Sequence, residues 1–221
     1  MFHLPLSAEA FLELQELELS CQNTDISLAK DERSFVWGKT EFKSANFYHY
    51  TFKGLPAEVV LTKFWKSRCM PKLKVFCWLL VSDRLNTKYL MIRKHWQVEG
   101  GPHCVLCNQN ILEDVDHLFF SCSFAMECWS KLGFSWDLSR NRRDRIAEAA
   151  ASFIRPNFEV AFACAAWNIW KSRNDFIFNG VEPSFEGWRR KAKQDFLLHQ
   201  FKVKSRTVQV LLDSADLLFG A

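Results

Sequence analysis

Apolar residues recur at helical spacing along most of the chain. After Pro56 the run AEVVLTKFWKSR predicts a helix that stops before Pro71, because proline disfavours helical geometry in its predecessor and offers no amide hydrogen. Pro71 suits the first turn of the next helix, PKLKVFCWLLVSDRL, whose Leu73, Phe76, Cys77 and Leu80 fall at i, i+3, i+4 and i+7. Thr87 is placed to cap a third helix, KYLMIRKHW, which EGGP at 99–102 brings to an end. Further on, SFAMECWSKLGF predicts a short helix with Gly133 near its end. FEVAFACAAWNIWKSRN predicts a longer one with Val160, Cys164, Trp167 and Trp170 near one side. A last helix near 185–202 puts Phe185, Trp188, Ala192, Phe196 and His199 on one stripe. Weak alternation in SFVWGK and TEFKSANFY leaves room for a short β-hairpin near residues 34–48. The expected fold is mostly α.

Composition excludes a chiefly disordered chain. At 221 residues it is 48% hydrophobic and 24% charged, with nine Trp and twenty-one Phe, an aromatic load that must be packed or face a partner. Its longest apolar runs, VFCWLLV and AFACAAW, are too short to span a membrane, and the opening residues lack the basic start of a secretory signal. An intracellular protein, nuclear or cytoplasmic, is therefore expected. Charge is uneven. Residues 1–34 carry seven acids against Lys30 and Arg33, whereas 63–96 carry nine bases against Asp83 alone, and 189–206 carry seven bases against Asp195. The two basic stretches suit a polyanion.

Candidate chemistry is concentrated in CVLCNQNILEDVDHLFFSC, residues 104–122, which holds three of the eight cysteines and one of the six histidines. In a reducing compartment disulfides explain such a cluster poorly, leaving a metal site or buried thiols. Cys104, Cys107, His117 and Cys122 follow the pattern C-x2-C-x9-H-x4-C. Two cysteines two residues apart can turn both sulfurs onto one ion, and a distant His and Cys complete a tetrahedral zinc site with no open position for water. Such zinc is structural. His117 and Cys122 lie five residues apart, about 140° around a regular helix, so one unbroken helix cannot aim both at one ion. Asp114 or Asp116 is therefore expected to cap a short turn bearing His117, with a bend near Ser121, a new helix from Ser123, and Leu118, Phe119 and Phe120 packed beneath. His103 and Cys128 are substitute ligands, disfavoured because His103 adjoins Cys104 and Cys128 suits the core beside Trp129.

These residues resemble the reverse-transcriptase zinc-binding domain of plant LINE-type (non-LTR) retroelements and derived proteins. The resemblance rests on Pro71, Lys72, Lys74, Phe76 and Trp78, then Arg84, Leu85 and Thr87, then Cys104, Cys107, Glu113, His117, Leu118, Phe119, Cys122 and Trp129. FKSANFY upstream and IWKSRNDFIFNG downstream extend it over roughly residues 31–205. The expected organisation is an acidic N-terminal extension over 1–30, which has no counterpart in the family, a zinc-binding domain over 31–136 and a helical region over 137–221. GKTEF replaces the family's usual lead-in, so the packing of the N-terminal segment is expected to differ.

Enzyme signatures are missing from the sequence. No Asp-Asp pair occurs for two-metal polymerase chemistry. WGKT lacks the phosphate-loop glycine, since Arg33 stands five positions before Gly38, and no His-x-Glu exists for a zinc deaminase. Two non-catalytic roles are left. One is contact with RNA or DNA, for which Lys72, Lys74, Arg93 and Lys94 are the candidate residues. The other is a protein-interaction or scaffolding role in which zinc serves only folding.

Overall fold

In a computed structural model, the structure describes residues 7–22, 34–38, 41–107, 109–154, 157–198 and 205–220. Two compact units divide at Pro56. In the first, α1 (Ala8–Gln22) buries no residue and carries Glu9, Glu13, Glu16 and Glu18. The second strand of the expected hairpin is instead a helix, α2 (Ser44–Thr51). Ring pairing explains the correction. Helical spacing puts Phe47 and Tyr50 together around Trp37, with centroids 6.2 and 6.4 Å away, and stacks Tyr48 on Phe52 at 5.6 Å. A strand would send Phe47 and Tyr50 to opposite faces.

Residues 57–221 form the second unit, so the expected C-terminal helical region shares one core with the cysteine cluster. Its first helix, α3 (Val59–Lys66), is capped by Glu58, whose carboxylate accepts from the amides of Val60 and Leu61. Next, α4 (Pro71–Val81) starts on its proline and buries Leu73, Phe76, Cys77 and Leu80, the stripe expected from spacing. Thr87 caps α5 (Lys88–Arg93), its hydroxyl accepting from the Leu90 amide at 3.3 Å. Because Thr87 is also buried, Thr87→Ala is expected to cost about 1 kcal/mol, read as a lower urea midpoint at unchanged slope.

After the cluster come α6 (Ser123–Lys131), α7 (Arg142–Ser152), α8 (Phe158–Asn179), α9 (Phe185–Leu197) and α10 (Ser205–Phe219). Gly133, at φ +77°, ends α6 in the left-handed conformation that glycine adopts without strain. The central element is α8. Ala161, Ala163, Ala165 and Ala166 are fully buried in it, and both α4 and α9 pack against it. Small side chains permit this close approach, and large rings fill the space between. Phe76 of α4 meets Trp167 edge-on at 5.2 Å, and Trp188 of α9 donates its indole N–H to the Ala165 carbonyl at 3.1 Å. Trp188, Ala192 and Phe196 form the buried stripe of α9, while His199 lies outside the described residues. Trp167 and Trp170 are half-buried against the core. Among the described residues the one β-type pairing is a bridge between His103 and Leu112. Among the described residues no helix is long and apolar enough to cross a membrane.

Candidate metal centre

The segment around Cys104 and Cys107 leaves α5 through two glycines with positive φ, Gly100 and Gly101. It folds back on itself as a clip. Cys104 donates its amide to the Ile111 carbonyl at 2.8 Å, and Glu113 donates to the Pro102 carbonyl at 2.9 Å. The two cysteines thus sit in a closed loop whose ends are tied together.

His117 is reached by a different device. Asp114 caps the turn, its carboxylate accepting from the His117 amide at 2.6 Å, as expected for one of the two aspartates. From His117 to Ser121 the backbone forms a π-type turn, closed by the Cys122 amide donating to the His117 carbonyl at 2.7 Å. That five-residue ring is how the chain answers the geometric problem: the wider turn carries Cys122 round to the side of His117, which an α-helix could not do. Cys122 then takes an extended conformation, φ −63° and ψ 133°, and α6 begins. Leu118, Phe119 and Phe120 are fully buried beneath.

All four side chains converge. The donor atoms of Cys104, Cys107, His117 and Cys122 lie within 4.8 Å of one another, and all four residues are buried. The Cys104 and Cys122 sulfurs are 3.9 Å apart, and Cys107 Sγ lies 3.3 Å from His117 Nε2. Around one ion with Zn–S near 2.3 Å and Zn–N near 2.0 Å, tetrahedral donors stand about 3.5–3.8 Å from one another. The donor set and its spacing fit a metal ion. The other imidazole nitrogen, Nδ1, faces Ser121 Oγ at 3.3 Å, so the serine can fix the ring's tautomer and orientation. His103 and Cys128 stand outside this group.

The thiols are unequal. A hydrogen bond from Cys104 pushes the Cys122 thiol down against the effect of burial, helped by the amides of Ala125 and Phe124 at the start of α6. The same hydrogen bond, followed by burial, pushes Cys104 up, and burial raises Cys107. Burial also raises Cys128, in keeping with a core thiol. One thiolate is thus favoured, and a metal bound here would have to displace protons from the other two sulfurs.

Residues 42–129 match the sequence model of a family described as zinc-binding in reverse transcriptase. That stretch is similar to the reverse-transcriptase zinc-binding domain. No curated protein and no solved structure matches the chain. The match ends at Trp129, whose indole N–H donates to the Phe119 carbonyl at 2.6 Å and so ties α6 to the His117 turn.

The four basic candidates occupy two helices. Lys72 is exposed on the first turn of α4, its ammonium 5.8 Å from the Trp167 ring centroid. Lys74 is half-buried and donates to the Trp65 carbonyl at 2.7 Å. Arg93 pairs with Asp83 at 3.9 Å and lies over the Tyr89 ring, and Lys94 donates to Asn86 at 3.2 Å.

Sequence reasoning missed a set of charges around His117. Glu113, fully buried, pairs with Arg173 of α8 at 2.7 Å. Asp116 pairs with Arg142 at 2.6 Å and Arg145 at 3.1 Å, both from α7. Burial works to raise the Asp116 carboxyl, but hydrogen bonds and charge from Arg142, then Arg145, hold it below the usual carboxylate range. The available signal was Arg173 itself, a charge four residues after buried Ile169 on the apolar side of α8.

Proposed function

We propose that this chain is a non-catalytic, zinc-braced module of retroelement origin that contacts RNA or DNA. Three thiols and one imidazole form a closed donor set, so zinc held by Cys104, Cys107, His117 and Cys122 would brace the fold and leave no position for a reacting water. One observation supports the nucleic-acid contact above the others. Lys63, Lys66, Arg68 and Lys72 are all exposed along α3 and the start of α4, beside Trp65, which is 49% exposed. The acid nearest them in sequence, Glu58, is occupied in capping α3. Cations left to solvent next to an open indole suit phosphates together with an unstacked base. Arg93 and Lys94 fit this role less well, because each is already engaged by a neighbour.

The test is titration of a fluorescently labelled single-stranded RNA, and its DNA counterpart, with the metal-loaded protein at low and moderate salt. With three or four phosphates neutralised, affinity is expected to fall with a log–log slope of about −2 to −3. Lys66→Ala with Arg68→Ala is expected to flatten that slope by about 1–2. Binding that is absent, or indifferent to salt, defeats the nucleic-acid reading and favours a protein partner.

A further inference from the structure

We propose that α7 and α8, outside the matched segment, belong functionally to the metal centre: Arg173 through Glu113, and Arg142 with Arg145 through Asp116, hold the His117 turn in the shape that takes the ion. The inference rests on the metal reading above. It concerns positioning residues that touch no donor atom themselves.

The acids of EDVDH divide three tasks among them. Asp114 caps the turn from within. Glu113, four residues before His117, receives the Arg173 Nε and Nη2 groups at 3.1 and 2.7 Å and the Lys88 amide at 2.9 Å, all on Oε1. Its own backbone donates to Pro102 and accepts from the Tyr89 amide, so Glu113 joins the cysteine clip to α5. A carboxylate with no solvent exposure is strongly unfavourable without a cation beside it. Glu113 can therefore occupy this place only while α8 presents Arg173, which the Trp170 face supports from 4.9 Å.

Asp116, one residue before His117, is gripped from the other side. Arg142 also donates to the Leu80 carbonyl at 3.0 Å, which anchors it on α4. Arg145 is buried over the Phe120 ring at 4.8 Å and donates to the carbonyls of Asp137, Leu138 and Arg140. Phe120 lies inside the π-type turn. Both ends of the segment that presents the imidazole are thus fixed by guanidinium groups whose own positions are fixed elsewhere. Partners behind a metal ligand commonly alter affinity by about 10–100-fold. Coupling of this kind is reciprocal: if the helices tighten the metal, the metal tightens the helices.

The experiment follows transfer of zinc from the full chain to a chromogenic chelator and the visible spectrum of the cobalt(II) form. Arg173→Met is expected to speed release about tenfold and to alter the cobalt spectrum, with Arg173→Lys intermediate. Asp116→Asn is expected to speed release severalfold. Arg189→Met, which breaks a pair with Glu186 on α9, should leave both readouts unchanged. A folded Arg173→Met protein that releases zinc at the wild-type rate overturns the proposal. If that variant does not fold, Arg173→Lys decides: it is expected to release zinc faster than wild type, and release at the wild-type rate overturns the proposal. A wild-type chain that takes up no zinc defeats the metal reading and this inference together, whereas zinc uptake with unaltered variants defeats this inference alone.

Discussion

Replacing Cys122 by serine is expected to abolish stoichiometric zinc binding and to unfold much of residues 57–221. Structural zinc contributes about 10–16 kcal/mol in small zinc-dependent folds, while whole domains are stable by about 5–15 kcal/mol. A loss of that order leaves little margin for a core that includes the fully buried Leu118, Phe119 and Phe120 next to the site. Elemental analysis of the purified variant and its thermal melt followed by circular dichroism provide the check. Full metal content with a cooperative wild-type melt would show that Cys122 is a bystander thiol. Chelation of the wild-type protein should give the same unfolded signal. Acidification should act in the same direction, because Cys104 and Cys107, raised by their surroundings, must be deprotonated to bind and protons then compete with the ion.

The second large effect is expected at Trp129, which is not one of the four converging residues. Its ring is fully buried and stacks on Phe162 of α8 at 5.3 Å, with Phe134 and Trp136 edge-on at 5.5 and 5.2 Å. Trp129→Ala removes these contacts and the indole hydrogen bond to Phe119, and is expected to cost about 3–5 kcal/mol. Trp129→Phe retains a ring but not the donor, and a smaller loss of about 1–3 kcal/mol is expected. Urea unfolding of the zinc-loaded proteins separates the two. A Trp129→Ala midpoint close to wild type would mean that the aromatic cluster can close over the vacancy.

The cluster of four donor groups was legible in the sequence because coordination would impose spacing: two cysteines in one loop, then His117 and Cys122 too far round a regular helix to cooperate without a bend. The π-type turn and the helix start at Ser123 answer that constraint directly. The stripe Leu73, Phe76, Cys77 and Leu80 was legible for the same reason, since periodicity and burial have one cause. Other elements left weaker marks. The basic RNRRDR at 140–145 gives no sign of what its arginines do, because the role of Arg142 depends on Asp116 and Leu80, partners remote in sequence. Weak alternation in TEFKSANFY suggested a strand, yet the pairing of Phe47 and Tyr50 with Trp37 decided for helix. Long-range charge pairing such as Glu113 with Arg173 has no local signature.

Cys122 has two roles, since its sulfur is one of the four donors and its carbonyl accepts the first backbone hydrogen bond of α6, from the Met126 amide at 2.8 Å. Whatever grips the sulfur therefore sets the angular phase at which α6 starts to wind. Trp129 lies seven residues on, close to two full turns, and inherits that phase. A cation held there would aim an indole it never touches, and the register of the interior would be dictated from the edge of the knot.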